Sequence, residues 1–299
     1  MNNFKTLAEF MAAFPTEEAC REYFEKTRFA KGDYCPHCKH DKIMRFADGK
    51  RYRCAKCRKD FTIKTGTLFG ESKITLKQWF IAIYLLTNRK KGISSIELAT
   101  QVGVSQKTAW FMDHRIRASF KQSKGKLLGV VEVDETYLGG KHWRKDGFKK
   151  KAAIMGMTER GGRIRAFQVP DRQTHTVINA MTKNVSKEAH VMTDDAGVYR
   201  KLIKVGYNNH GTIKHSRRQY VLGDIHTNSI ESFWALFKRG YHGTYHTMSK
   251  KHLQRYIDEF CFRFNSRNTT MQEMFADVTH RLAKSGKMPL KKLTAYVDR

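Results

Sequence analysis

Apolar residues recur at helical spacing through most of the first 120 positions and then switch to the alternation of a sheet. Residues Phe4 to Ala13 and Thr16 to Phe29 read as two short helices, the second opened by Pro15-Thr16-Glu17-Glu18 as cap and acidic first turn. Met44-Arg45-Phe46, a turn at Asp48-Gly49 and Tyr52-Arg53 predict a hairpin, with Phe61 and Ile63 in a third short strand. From Thr75, the positions Trp79, Ile83 and Leu86 mark an amphipathic helix. Ser94-Ser95-Ile96-Glu97 opens another that stops at Gly103, and a third follows at once.

Beyond the polar linker Lys121 to Lys126 the period shortens. Strands are expected over Leu127 to Leu138, Ala152 to Thr158 and Arg163 to Val169, the last two joined by Glu159-Arg160-Gly161-Gly162. A helix over Thr174 to Val185 and a strand over Ala189 to Thr193 follow, the strand running into Asp194-Asp195. A further strand is expected around His215, Arg217 and Arg218. After it, Ile230, Phe233, Trp234 and Phe237 form the apolar stripe of a helix, and a closing helix over Lys251 to Asn265 presents Leu253, Ile257, Phe260 and Phe264 to the sheet. The segment from Lys284 to Arg299 reads as basic and mobile.

Three strands, a helix and a fourth strand ending in an acid follow the order of a ribonuclease H-like fold, whose first and fourth strands are neighbours. The fold class expected is therefore α+β and multidomain, its core a mixed sheet flanked by helices. That order brings Asp134, at the end of the apolar run Val130, Val131, Val133, beside Asp194. Glu231, on the later helix, is the third acid, with Lys238 on the same face at i+7. Three converging carboxylates can hold two Mg²⁺ or Mn²⁺ ions about 4 Å apart, one activating the attacking oxygen and one stabilising the leaving 3′ oxygen. Each acid also has an ordinary reading. Asn228 and Glu231 fit a capping box, Asp194 or Asp195 fits a cap, and Asp134 fits one of several strand-end acids beside Glu132 and Glu135.

The charge balance identifies a partner class. Across 299 residues, Lys and Arg number 57 against 28 Asp and Glu, a formal +29 that self-repels unless a polyanion neutralises it. The basic runs Lys149-Lys150-Lys151, Arg217-Arg218 and Lys250-Lys251 punctuate folded segments, as an extended DNA-binding face requires. No apolar stretch approaches the roughly 20 residues that span a bilayer, and the first residues lack a secretory pattern. The expectation is a cytoplasmic protein without a membrane or nucleotide partner.

Of six cysteines, four form Cys35-Pro36-His37-Cys38 and, fifteen residues later, Cys54-Ala55-Lys56-Cys57. This spacing predicts a structural Zn²⁺ held by four thiolates, a closed site with no open position for substrate. Cys20 and Cys261 fall in helical patterns as ordinary buried thiols.

Between Ile96 and Arg117, Ala99 lies four residues before the turn glycine Gly103, and Leu98, Val102, Val104, Ala109 and Met112 occupy the core positions of a helix-turn-helix. Ser105 caps its second helix, leaving Gln106, Lys107, Thr108, Asp113, His114 and Arg115 as candidates to face DNA. Arg217, Arg218, Lys238 and Arg239 join them. So do His242 and His246, in an aromatic and basic stretch suited to backbone contact and base stacking.

The CPHC and CAKC knuckles, VEVDETYLGGK, VMTDDAGVY and HTNSIESFWALFKRGYHGTYHTMSKKHLQRYIDEFCFRFNSR resemble bacterial insertion-sequence transposases of the DDE superfamily, in the ISXO-like branch with an N-terminal zinc ribbon. The resemblance spans nearly the whole chain. It implies that Asp134, Asp194 and Glu231 are the metal-binding triad and Lys238 its associated basic residue, with Asp195 the alternative to Asp194 and Asn228 a possible contributor. It further implies recognition of element ends, pairing of two ends by a homo-oligomer such as a dimer, strand cleavage and strand transfer. The expected domains are helices over 1–30, a zinc ribbon over 31–68, a helix-turn-helix over 73–120, a catalytic core over 127–270 and a basic segment over 271–299. A structure-specific nuclease on the same fold, and a DNA-binding regulator with an inactive core, are the alternatives.

Overall fold

The computed structural model describes residues 4–70, 72–122, 124–139, 151–213 and 226–295, which divide into two compact units. In the first unit, α1 (Leu7–Ala13) is closed by a capping box between Thr6 and Glu9, and α2 (Glu17–Arg28) is capped by Thr16. A three-stranded antiparallel sheet follows: β1 (Ile43–Arg45), β2 (Arg51–Cys54) and β3 (Asp60–Thr62). The Arg28 guanidinium, itself buried, donates to the carbonyls of Ile63 and Thr65 and so ties α2 to the end of this sheet.

Helix α3 (Leu76–Asn88) carries its own capping box, Thr75 with Gln78. Its first amides gain a further acceptor from far away in sequence, because the Glu17 carboxylate takes the N–H groups of Leu76 and Lys77 at 2.9 Å each. Helices α4 (Ser95–Val102) and α5 (Gln106–Arg117) meet at Gly103, whose φ of 72° is left-handed and suits a residue without a β-carbon. Ser94 and Ser105 cap the two helices.

The second unit is built on a five-stranded mixed sheet. Its strands are β4 (Val130–Leu138), β5 (Ala152–Glu159), β6 (Ile164–Val169), then after helix α6 (Thr174–Asn184) β7 (His190–Asp194) and β8 (His210–Ile213). Their spatial order is β6-β5-β4-β7-β8, with β4, β5 and β6 antiparallel to one another and β7 and β8 running parallel to β4. Alternation along the strands feeds two cores. Val131, Val133, Met155 and Met157 pack with Val177 and Met181 of α6, whereas Leu138, Ile154 and Ala166 face the other way.

That second face is covered by α7 (Asn228–Gly240) and α8 (Leu253–Asn265) through Ile230, Phe233, Trp234, Phe237, Ile257 and Phe260. Amide side chains of α8 also satisfy the backbone of edge strand β6. Asn265 accepts from the Ile164 N–H at 2.7 Å and donates to its carbonyl at 3.1 Å, and Gln254 accepts from the Gln168 N–H at 2.9 Å. An edge so occupied cannot pair with another strand.

After the second unit the chain rejoins the first from Asn268 onward. The basic segment expected over 271–299 contains α9 (Met271–Lys284) and α10 (Leu290–Thr294), the latter within the Lys284 to Arg299 stretch expected to be mobile. Phe275 of α9 sits among Phe4, Phe10, Phe14 and Phe80, and Leu293 of α10 is buried. The apolar stripe Phe275, Val278, Leu282 accounts for this, its period masked in the sequence by interleaved Arg281 and Lys284. The expected strand around His215, Arg217 and Arg218 lies outside the described residues. Among the described residues no helix is long and apolar enough to cross a membrane.

Candidate active site

Two constellations of ligand-type side chains are candidates for chemistry. The first is the knuckle pair. The Sγ atoms of Cys35, Cys38, Cys54 and Cys57 all lie within 4.8 Å of one another, with Cys35 to Cys57 at 3.7 Å and Cys38 to Cys54 at 3.5 Å. Tetrahedral bonds of about 2.3 Å to zinc would set sulfurs roughly 3.8 Å apart, so the cage fits that ion. The tight turns are stabilised as the motif requires: the amides of His37 and Cys57 point at the sulfurs of Cys35 and Cys54, both at 3.4 Å. All four positions are filled by protein, which makes this centre structural.

The second constellation forms where β4 meets β7 and α7. The β4–β7 ladder runs Val130 to His190, Val131 to Val191 and Glu132 to Met192, and Asp134 and Asp194 each lie two residues beyond its last pair. Strand parity turns both toward the face covered by α7, where Glu231 occupies the first turn. Their fields overlap. Burial first, and then the negative charges of Glu135, Asp194 and Glu231, together lift the Asp134 carboxyl to about 7. Asp195 is exposed, while the partly buried Asp194 accepts from the Ala196 amide at 3.1 Å.

Among the described residues, the cysteines are the one group of three or more ligands closer than 4.8 Å to each other. The carboxylates of Asp134, Asp194 and Glu231 are not drawn that close together.

Glu231 is not half of a capping box with Asn228. The helix starts at Asn228 itself, the cap position is Thr227, and the Thr227 hydroxyl donates to Glu231 Oε1 at 3.0 Å. Asn228, Lys238, Arg239, His242 and His246 are exposed. Lys238 and Arg239 lie in the last turns of α7, and the His242 stretch continues it as a single wider turn, Tyr241–Tyr245.

In the first unit, Gln106 and Lys107 are exposed and Thr108 half-exposed at the start of α5, with Gln106 donating to Ser95 Oγ at 2.8 Å. Arg115 is half-buried. Asp113 and His114 are a correction: both are buried in this fold, because they lie on the inward face of α5 with Met112 and Ile116, and they cannot face a groove. Arg217 and Arg218 lie outside the described residues.

Sequence reading missed the scaffold around the acids. Glu135, on the opposite face of β4, pairs with Arg172 at 2.8 Å and receives the Tyr199 hydroxyl, and burial still raises its carboxyl above the usual range. Glu132, on the Asp134 face, is wholly buried against the start of α7. Gly156 is the β5 partner of Asp134 and leaves room for Trp234. The available signal for Glu132 was its two-residue spacing from Asp134 inside an apolar strand, where an acid is costly without partners.

Residues 126–265 match the family model described as an ISXO2-like transposase domain, and residues 15–60 match that of a transposase zinc-ribbon domain. A curated protein of Halobacterium salinarum, described as an uncharacterized protein in transposable element ISH50, is 27% identical over 274 residues, covering 84% of this chain and 91% of that relative.

Proposed function

Because the chain belongs to the insertion-sequence transposases, we propose that it binds the ends of its own mobile element and cuts and joins DNA at a site formed by Asp134, Asp194 and Glu231. The observation that carries this reading is electrostatic. A carboxyl held at about 7 by burial and by three neighbouring acids is in the state that divalent cations relieve, since their charge favours the ionised form. Hard carboxylate oxygens suit Mg²⁺ or Mn²⁺.

The sheet order, with the first strand between the second and fourth, supports a ribonuclease H-like core. The left-handed Gly103 between two serine-capped helices supports a helix-turn-helix, in which exposed Gln106 and Lys107 contact DNA. Cations held by Asp134, Asp194 and Glu231 would supply activation of the attacking oxygen and neutralise charge on the leaving 3′ oxygen. The protein groups do the rest. Asp134 and Asp194 present oxygens from the rigid sheet, Glu231 closes the site from the helix, and Lys238 with Arg239 holds an adjacent phosphate.

Hydrolysis frees a 3′ hydroxyl, and the same geometry then turns that hydroxyl on target DNA. Both steps are in-line displacements at phosphorus, so one site serves both. Pairing of two ends calls for two or more copies of the chain.

Incubating the protein and Mg²⁺ with DNA that carries the terminal repeats, with Asp134→Asn in parallel, tests the proposal. Cuts at the ends and joined products, both lost in the variant, are expected. Cleavage without regard to the repeats would indicate a nuclease, and binding without any cleavage would leave a DNA-binding regulator.

A further inference from the structure

Helix α7 lacks a cap of its own. Thr227 makes no side-chain bond to the helix backbone and spends its hydroxyl on Glu231. Its unpaired first-turn amides are taken instead by a strand residue: Glu132 Oε2 accepts from the N–H of Ser229 at 2.8 Å and of Ile230 at 3.1 Å, and Glu132 Oε1 accepts from Ser229 Oγ at 3.1 Å. Arg160 donates to the same Oε1 at 3.2 Å, and His226 Nδ1 lies 3.3 Å from it. The carboxylate is wholly buried and fully engaged.

This arrangement joins the two elements that carry the candidate acids. Glu132 and Asp134 stand two positions apart on one face of β4, and the amides that Glu132 holds immediately precede Glu231. A carboxylate at a helix N-terminus is favoured by both the open amides and the helix dipole, so the joint is stiff. We propose that Glu132 is a positioning residue that fixes Glu231 against Asp134 by capping α7 from the strand. The inference rests on the proposed metal-binding role of those two acids.

The test is calorimetric titration of the full-length, zinc-loaded protein with Mn²⁺, using Glu132→Gln, Glu231→Gln and the double variant. Residues that orient metal ligands typically change affinity by about 10–100-fold. Glu132→Gln is expected to weaken Mn²⁺ binding at least about tenfold while zinc content stays unchanged, and to weaken it less than about twofold when Glu231 is already Gln. Ser229→Ala, which removes one donor to Glu132, is expected to weaken binding about threefold and serves if Glu132→Gln does not fold.

A purely stabilising cap would lower the melting temperature and leave the Mn²⁺ affinity of the folded protein unchanged. That result, or an equal loss in both Glu231 backgrounds, overturns the inference alone. Wild-type protein that binds no Mn²⁺ overturns the metal-site reading beneath it.

Discussion

Trp234 lies where a side chain at position 156 would be: a β-carbon added to Gly156 would stand 2.5 Å from Cζ2 of the indole and 2.8 Å from Cδ1 of Ile230. Gly156 is also the cross-strand partner of Asp134, so α7 packs tightly on the sheet beside that candidate acid. Glycine is needed here for proximity, since two buried side chains occupy the space.

Gly156→Ala should therefore force α7 outward. Overpacking of this kind costs about 1–3 kcal/mol, which urea denaturation would register as a lower midpoint. Because Trp234 and Glu231 share the helix, the same substitution should weaken Mn²⁺ binding. An alanine variant as stable as the parent would mean that the helix docks less rigidly than the contact implies.

The pH dependence of stability follows from Asp134. Its carboxyl is raised from 3.8 to about 7 by burial and neighbouring acids. A raised carboxyl contributes stability that is fully present below its unfolded value and is lost as pH rises through the folded value. Without divalent cations the wild type should accordingly weaken between about pH 4 and 7. Asp134→Asn should be free of that loss and gain about 2 kcal/mol relative to wild type between pH 5 and pH 8. Urea titrations in chelator at the two pH values measure it, and a constant difference would contradict the assigned environment. Saturating Mg²⁺ should shrink the wild-type loss.

Cys54→Ser removes one corner of the sulfur cage. Zinc analysis should fall from about one ion per chain to a small fraction, since the three remaining ligands no longer close the site. Limited proteolysis should then cut between residues 35 and 57, which the wild type resists, because folding of such a ribbon is coupled to its metal. Retention of a full zinc equivalent would require a replacement ligand, and His37 and His40 are the nearest by sequence.

What the sequence determined by itself is whatever depends on near neighbours. The cysteine knuckles, the serine and threonine caps and the glycine between α4 and α5 are all set by spacing, because each is a bond or a turn within a few residues. Tertiary structure decided what depends on partners far away in the chain. The apolar stripe of α9 did not say that Phe275 would join the aromatic core of the first unit. Glu132 looked like one of three strand acids, and only the docking of α7 turned it into that helix's cap, as Glu17 became a second cap for α3. Burial selects among such alternatives. An acid taken from water must find donors, and which donors are in reach is fixed only when distant segments pack.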